Sequence, residues 1–556
     1  MLGCFSGRDS TERRDMPDQR RHSTRPIWSD TAVIPKQDQQ TGEVIVDVCV
    51  VGAGVTGLTA ALLLGRAGKK VAIIDLGRVC SGETSHTTAH LTEVFDISYR
   101  ELISKFGLEG AELAAQSMRR AIERIEQNVL DLGIECDFKR VPGYLFTEVQ
   151  GEAEELEAEA AAALRIGVPN SLLFEAPLPF RTERAIRFEH QAQINPLKYA
   201  AGLVAELNRR GCLIYEDTRM TDVEDGEPCR VITDQGTILA DHVIVAANVP
   251  SANRLFLHTK IAAYRTYALA AVVRKDFERD ALYWDTMGPY HYIRSYEFNG
   301  KSYLIVGGED HKTGQDQHTE MHFRRLQEWV DARFGIEDIT HRWSGQVIES
   351  VDGLPFIGRN PMSNNIYVAT GFSGAGITFG TIAGMLISDL ILENPNPWSE
   401  LYDAGRVKPF ASIRNFLSEN IDYPSHLIGD RLTPAQASDV SQLRENEGAI
   451  IRIGAKKVAV YRDPEGELHL LSPVCPHLGC YVQWNEAEKS WDCPCHGSRF
   501  DPYGKLLNGP ALSDLASEEY EENAPFVAER YESPDEPPSP LGPLLPSMFI
   551  CKFRKS

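Results

Sequence analysis

Two short stretches near the end of the chain combine residue types that bind metal and move electrons. The first is Cys475-Pro476-His477-Leu478-Gly479-Cys480, and the second is Cys493-Pro494-Cys495-His496-Gly497-Ser498. Cys475 and His477 make one ligand pair, and Cys493 and His496 make the other. Two thiolates with two neutral imidazoles suit a [2Fe–2S] cluster in which cysteines hold one iron and histidines the other. Imidazole in place of thiolate removes negative charge. Such a cluster takes up an electron readily, at about −150 to +300 mV rather than the about −400 mV of an all-cysteine ferredoxin. A zinc site or a disulfide knot is the competing reading. Zinc fingers usually group their ligands as C-x-x-C and H-x-x-x-H. Here each box mixes one Cys with one His, and fifteen residues separate His477 from Cys493.

Both boxes resemble the Rieske family, in its cytochrome bc1-type branch. The resemblance implies that Cys480 and Cys495 form a disulfide clamping the two cluster loops. It also implies that the Ser498 hydroxyl bonds a bridging sulfide, and that Gly509-Pro510-Ala511 forms a third, shielding loop. One position departs from the pattern. High-potential members have tyrosine two residues after that serine, where this chain has Phe500. Losing a hydroxyl donor to a cysteine sulfur lowers the expected potential.

A second centre is written near the N-terminus. An apolar run, Asp47 to Val51, ends directly in Gly52-Ala53-Gly54-Val55-Thr56-Gly57. A helical pattern follows to Ala67, and a second apolar run ends on Asp75. Strand, glycine turn, helix, strand and acid form the dinucleotide fingerprint in its required context. Gly52 permits the tight turn, Gly54 lets backbone approach a pyrophosphate, and Gly57 lets helix and strand pack closely. The helix N-terminus offers N–H groups to phosphate, and Asp75 is expected to accept from ribose hydroxyls. The fingerprint alone does not choose between NAD and FAD.

The hydroxyl-rich segment Ser81-Gly82-Glu83-Thr84-Ser85-His86-Thr87-Thr88-Ala89-His90-Leu91-Thr92 comes next. Read from composition, it suits a ribityl chain, a pyrophosphate or an ordinary surface loop. It resembles the flavin-contacting loop of the D-amino-acid oxidase-like family, which includes glycine oxidase, sarcosine oxidase and gamma-glutamylputrescine oxidoreductase. The HTTAHLT string is most similar to the subgroup fused to a C-terminal Rieske domain. The resemblance covers about residues 25–395 and implies FAD, with Thr87, Thr88 and Ala89 at the cofactor. It further implies that Gly371, Gly374 and Gly376, in Gly371-Phe372-Ser373-Gly374-Ala375-Gly376, precede a helix whose N-terminus points at the flavin. Such a dipole would stabilise the anionic reduced ring. Trp343 to Gln346 and Asp352 to Gly358 resemble the family's segment beside the flavin. No true second fingerprint exists, so no NAD(P)H site is evident.

The elements that position these residues follow from patterning. Residues 101–131 and 152–165 predict helices. Asn195 as N-cap, Pro196 and Gly211 delimit another helix. Strands are expected at 212–216, at a pair turning near Asp234-Gln235-Gly236, and at 241–247. Residues 261–310 alternate and are rich in Tyr, Val and Ile, as in an antiparallel sheet, which the family resemblance makes the roof over the flavin. Arg265, Tyr292 and Arg294 on it are candidates to meet a substrate carboxylate, because Arg offers a planar fork. Surface arginines and core tyrosines of a sheet are the equal alternative. No residue is singled out as a catalytic base. A strand over 365–370 and a helix over 377–392 follow, and a hairpin around Asp463-Pro464-Glu465-Gly466 precedes the first cluster box.

The expected organisation is an α/β Rossmann-type FAD-binding domain with an inserted α+β substrate domain, followed by a small all-β Rieske domain. The boundaries are an arm over 1–40, an oxidoreductase over 41–395, a linker over 396–433, the Rieske domain over 434–530 and a Pro-rich tail over 531–556. Within the oxidoreductase, 41–140, 195–250 and 341–395 bind the dinucleotide, while 141–194 and 251–340 form the substrate domain.

A net charge of −22 argues against nucleic acid and anionic membranes as partners. No apolar run is long enough to span a bilayer. Residues 1–30 hold six Arg and five acids, unlike an organelle transit peptide, and read as a loosely attached arm. Seven of the eleven cysteines lie scattered outside the boxes, which fits a reducing compartment, the cytoplasm by default. The expected function is a flavin and iron–sulfur oxidoreductase. FAD takes two electrons from an amine, amino acid or similar donor, and the cluster relays them singly to an unidentified acceptor. A built-in cluster favours a dehydrogenase over an oxidase. The alternatives are a reductase component for a partner oxygenase or cytochrome, and a redox sensor with a structural Rieske module.

Overall fold

The structure is a computed structural model and describes residues 25–250, 257–277, 279–406, 440–453 and 456–518. The expected N-terminal arm up to residue 24, most of the linker and the Pro-rich tail lie outside the described residues.

The strand Gly42–Val51 is buried from Val48 to Val51 on both faces, as its unbroken apolar run requires of a central parallel strand. It pairs in parallel with Val71–Ile74 on one side and Gly236–Val245 on the other. The sheet runs Phe356–Arg359, Ile366–Thr370, Gly236–Val245, Gly42–Val51, Val71–Ile74, Leu213–Tyr215. Met220–Glu224 and Cys229–Thr233 add a hairpin through Gly236–Val245 to make eight strands. Helices Val55–Arg66 and Gly376–Ile391 pack on this sheet and on each other. The helix Pro196–Arg209 starts where expected, with the Asn195 side chain accepting from the N–H groups of Leu197 and Lys198.

A second sheet of nine strands lies beside the first. Its order is Ile336–Ser350, Ile261–Val273, Lys301–Lys312, His291–Phe298, Leu282–Asp285, Lys139–Thr147, Arg184–Gln193 and His90–Leu91, with Asn170–Leu173 paired to Arg184–Gln193. The pairing is antiparallel except between Leu282–Asp285 and Lys139–Thr147. Two details differ from the sequence reading. Residues 101–131 lie in one helix, Tyr99–Leu132, interrupted only at Gly107, whose φ of 74° breaks the helical path. The strand Ile336–Ser350 crosses residue 341, so the antiparallel sheet extends into the stretch expected to bind dinucleotide. It pairs with Ile261–Val273 along nearly its whole length, and Trp343 to Gln346 are buried in succession.

The C-terminal domain is built from two small antiparallel sheets. Glu447–Ile453, Lys456–Arg462 and Leu468–Leu471 form one, and Gln483–Asn485, Ser490–Asp492, Arg499–Phe500 and Leu506–Asn508 form the other. The two cluster boxes lie in the loops 472–482 and 493–498 that leave these sheets.

Candidate functional site

The glycine turn is shaped as the fingerprint demands. Gly52 has φ +110°, and a Cβ on it would sit 2.4 Å from the Ala246 carbonyl oxygen. A Cβ on Gly57 would fall 2.0 Å from the Gly52 oxygen. Only hydrogen fits at either position. The hydroxyl-rich loop folds over this turn, with Thr84 Oγ1 accepting from the N–H of Val55 at 3.1 Å. Asp75 spends one oxygen on the turn and the other on the loop that follows it. Oδ2 accepts from Ala53 N at 2.7 Å and Oδ1 from Gly77 N at 2.9 Å. Burial nevertheless pushes its carboxyl up.

These residues line a cavity of about 1230 Å³. That exceeds the roughly 300–1,000 Å³ of ordinary small-molecule sites, as an extended dinucleotide needs. Gly52, Gly54, Asp75, Thr87, Thr88, Gly374 and Gly376 face it. Gly57, Ala89 and Gly371 stand behind the lining. The lining also includes Tyr292 and Thr266 of the antiparallel sheet, Tyr290 just before one of its strands, and Asp96. Asp96 Oδ2 accepts from the Gly374 N–H, at the loop that leads into Gly376–Ile391.

Of the three substrate-binding candidates, only Tyr292 faces the cavity. Its hydroxyl lies 2.7 Å from Thr266 Oγ1. Arg294 is buried and donates to the carbonyls of Thr88, Ala89 and Ile194 at 3.2, 2.8 and 3.0 Å. It props the hydroxyl-rich loop from behind. Arg265 is fully buried and meets Ser344 Oγ and, at 3.4 Å, Glu488 Oε2 of the C-terminal domain. Neither guanidinium is placed to receive a substrate carboxylate, which corrects that expectation. A planar fork satisfies stacked backbone carbonyls or a buried carboxylate equally well.

The cluster boxes are arranged as two facing loops. Cys480 and Cys495 form a disulfide with Cα atoms 6.5 Å apart, joining the loops behind the ligands. Cys475 and Cys493 are buried, and a hydrogen bond from the Cys493 thiol pulls Cys475 toward thiolate. The rings of His477 and His496 meet edge to face at 5.0 Å. Burial, with His477 adding to it, holds His496 neutral, at about 3, the form that ligates metal. Among the described residues, the one group with three donors within 4.8 Å of one another is Asp463, Glu467 and His469. Ser498 Oγ accepts from Ala511 N at 3.0 Å and donates to Cys475. Phe500 is buried in the sheet opposite Trp491 and Leu506.

The two sites share a wall. Asn508, Gly509, Ala511 and Leu512 of the third cluster-domain loop line the same cavity as the glycine turn. Asn508 donates to Glu83 at 3.2 Å, and Arg219 pairs with Asp514 at 2.6 Å. Arg265, Glu488, Arg499 and Asp492 form a buried charge network across the boundary. Glu83, Gln346 and His258 at this boundary were not singled out from sequence. Glu83 and Gln346 lay inside segments already read as flavin-side, while nothing around His258 marks it.

The FAD dependent oxidoreductase family matches residues 47–390, and the Rieske [2Fe-2S] domain matches residues 433–519. The chain belongs to the FAD dependent oxidoreductase family. Its C-terminal part is a Rieske [2Fe-2S] domain. The residues present fit both groups: the glycine cradle leaves no room for a Cβ, and two Cys with two His converge from disulfide-linked loops. FAD and a [2Fe-2S] cluster are accordingly the cofactors of this oxidoreductase. A Bacillus subtilis (strain 168) protein, YhfW, named for a Rieske 2Fe-2S iron-sulfur centre, is 32% identical over 495 residues, covering 88% of this chain and 96% of its own. Gamma-glutamylputrescine oxidoreductase of Escherichia coli K12 is 25% identical over 388 residues, covering 66% of this chain and 87% of its own. Glycine oxidase from Geobacillus kaustophilus shares the fold, with a TM-score of 0.56 and 20% identity, over 66% of this chain and all of its own. No helix among the described residues is long and apolar enough to cross a membrane.

Proposed function

We propose that this oxidoreductase is a dehydrogenase that takes two electrons from the C–N bond of an amine and passes them singly, through its cluster, to an external acceptor. The observation that carries the reading is the single cavity walled both by the glycine turn and by the loop 508–512 of the Rieske domain. Bound FAD supplies hydride acceptance and the cluster supplies one-electron exchange.

The chain's own residues favour a cationic amine over a carboxylate-led donor. Tyr290, Tyr292 and Asp96 face the cavity. Behind them, Asp310 hydrogen-bonds Thr266, which also meets the Tyr292 hydroxyl. An ionised carboxylate only accepts, so Thr266 donates to Asp310 and Tyr292 donates to Thr266. The remaining lone pairs of the Tyr292 oxygen then present an acceptor. Asp96 and Asp310 repel one another, and burial pushes both carboxyls up. A bound ammonium would relieve both effects. The arginines that would attract a carboxylate on this sheet are committed elsewhere. A cytoplasmic location belongs to the same reading, supported by the free buried thiols of Cys49, Cys80, Cys136, Cys212 and Cys229.

The test is anaerobic addition of alkylamines, diamines and amino acids, with flavin bleaching read optically and the cluster read by EPR. An amine should bleach the flavin and reduce the cluster. Bleaching by NADH without any amine, or a flavin that reduces while the cluster never does, would sink the proposal.

A further inference from the structure

The second cluster box is held against the flavin domain through contacts that ordinary packing does not require. His258, 2% exposed, stands in the short turn His258–Lys260 just before the strand Ile261–Val273. Its ring lies 4.7 Å from that of His477 and 5.4 Å from that of His496, both at steep angles. One imidazole of the flavin domain thus packs against both histidine ligands of the Rieske domain, which stay half-buried.

Gln346 makes the second contact. It lines the cofactor cavity, and its side-chain Nε2 donates to the carbonyl of Gly497 at 2.7 Å. Gly497 directly follows the ligand His496. The Gln346 backbone N–H is in turn fixed by Glu83 Oε2 at 2.6 Å. One residue therefore reaches from the cavity wall to the cluster loop. The approach is close enough to demand glycine on the loop. Gly497 has φ +75°, and a Cβ there would lie 2.4 Å from Ala263 Cβ and 2.5 Å from Gln346 Nε2. From the flavin side Gly314, at φ +70°, abuts the same box, where a Cβ would lie 2.8 Å from the Asp492 oxygen and the Pro494 nitrogen. Side chains of the flavin domain crowd Gly497 and backbone of the cluster loop crowds Gly314, and both contacts fall on the segment carrying Cys493 and His496.

We propose that His258 and Gln346 are positioning residues that seat the histidine edge of the cluster loops on the wall of the cofactor cavity. The proposal extends the relay reading above: the seated edge faces the flavin domain. Neither residue is a ligand, so cluster assembly does not depend on them.

The experiment compares the holoprotein with Gln346→Leu and His258→Ala, using measurements that need no donor. Iron content should match the unaltered protein. Amide hydrogen exchange over residues 493–499 should rise about tenfold or more in Gln346→Leu, as the segment opens locally. The cluster EPR line shape and midpoint potential should shift in both variants, because hydrogen bonding and exposure at the ligands tune them. If Gln346→Leu loses iron, Gln346→Glu keeps the volume while setting acceptor against acceptor at the Gly497 carbonyl, and the same shifts should appear. Exchange, EPR and potential all unchanged in variants that retain iron would overturn the proposal. A cluster that amine never reduces in the unaltered protein would instead overturn the relay reading and leave the seating contact standing.

Discussion

Glu83 Oε1 accepts a hydrogen bond from Asn508 Nδ2 at 3.2 Å, joining the loop over the glycine turn to the third loop of the Rieske domain. The other oxygen of the same carboxylate accepts from the Gln346 backbone at 2.6 Å. Hydrogen bonds to a charged acceptor contribute about 1.5–3 kcal/mol each when sheltered, and less where water competes. Glu83→Ala should therefore cost about 2 kcal/mol of stability. Denaturant unfolding followed by flavin fluorescence would read this directly, with iron content unchanged at rest. An unaltered midpoint would mean that the two domains hold together without this carboxylate.

At the glycine turn the expected outcome is loss of cofactor rather than of fold. Gly52→Ala places a methyl 2.4 Å from the Ala246 oxygen at a φ of +110°. Backbone there has to move, and the turn loses the shape that admits a pyrophosphate. The purified variant should hold less than about a tenth of the usual flavin, a loss of more than about 1.4 kcal/mol in binding, measured by absorbance at the flavin band. Gly151→Ala is the control, since nothing lies within 4 Å of its Cβ position and it stands outside the cavity lining. Equal flavin content in both variants would contradict the assignment of the turn.

The cluster assignment separates ligand from tuning residue. His477→Ala should lose the characteristic EPR signal of the reduced cluster and roughly half or more of the iron, since one iron keeps a single protein imidazole. Ser498→Ala should keep its iron. It removes the hydroxyl that donates to Cys475 and accepts from Ala511. With less stabilisation of negative charge on the sulfur, the midpoint potential should fall. A normal spectrum in His477→Ala would refute the ligand set.

How much of this was legible in sequence depended on whether the signal was local. Gly52 to Asp75 is a contiguous strand, turn, helix and strand whose steric demands are met within about two dozen residues, so spacing alone located it. The four cluster donors likewise sit in two adjacent loops, and the Cys480–Cys495 disulfide expected from the family resemblance is present. The arginines were misread because a guanidinium's chemistry does not say which acceptor it meets. Arg294 finds three backbone carbonyls, two of them in a loop some two hundred residues away. Arg265 finds Glu488, in another domain. His258 and Gln346 were missed for the same reason: their partners, His477 and Gly497, belong to a domain whose docking no local pattern encodes.

Asp310 offers the sharpest check on the donor. Burial raises its carboxyl to about 7, with Asp96 adding to the effect and the Thr266 hydrogen bond opposing it. One of its oxygens, Oδ1, is buried without a hydrogen-bond partner among the described residues. A carboxyl raised above its unfolded value favours the folded state while it stays neutral. That contribution is complete below about pH 4, the ordinary range of an aspartate, and is lost as pH rises through about 7. Binding of a cation runs the other way, because only the ionised carboxylate makes Thr266 and Tyr292 donate toward it and leaves the Tyr292 oxygen accepting. An alkylammonium ligand should therefore bind about tenfold more tightly at pH 8 than at pH 6, a gain of about 1.4 kcal/mol, read from perturbation of the flavin spectrum. Asp310→Asn should abolish that pH dependence and weaken binding at pH 8 by a similar factor. The same variant should be more stable than the unaltered protein at pH 8, by at most about 4 kcal/mol, with the difference shrinking toward pH 5. Weaker binding together with higher stability is a pair of effects that simple damage to the fold does not produce. If Asp310→Asn binds the ammonium ligand as well as the unaltered protein at pH 8, the acidic wall does not select the donor.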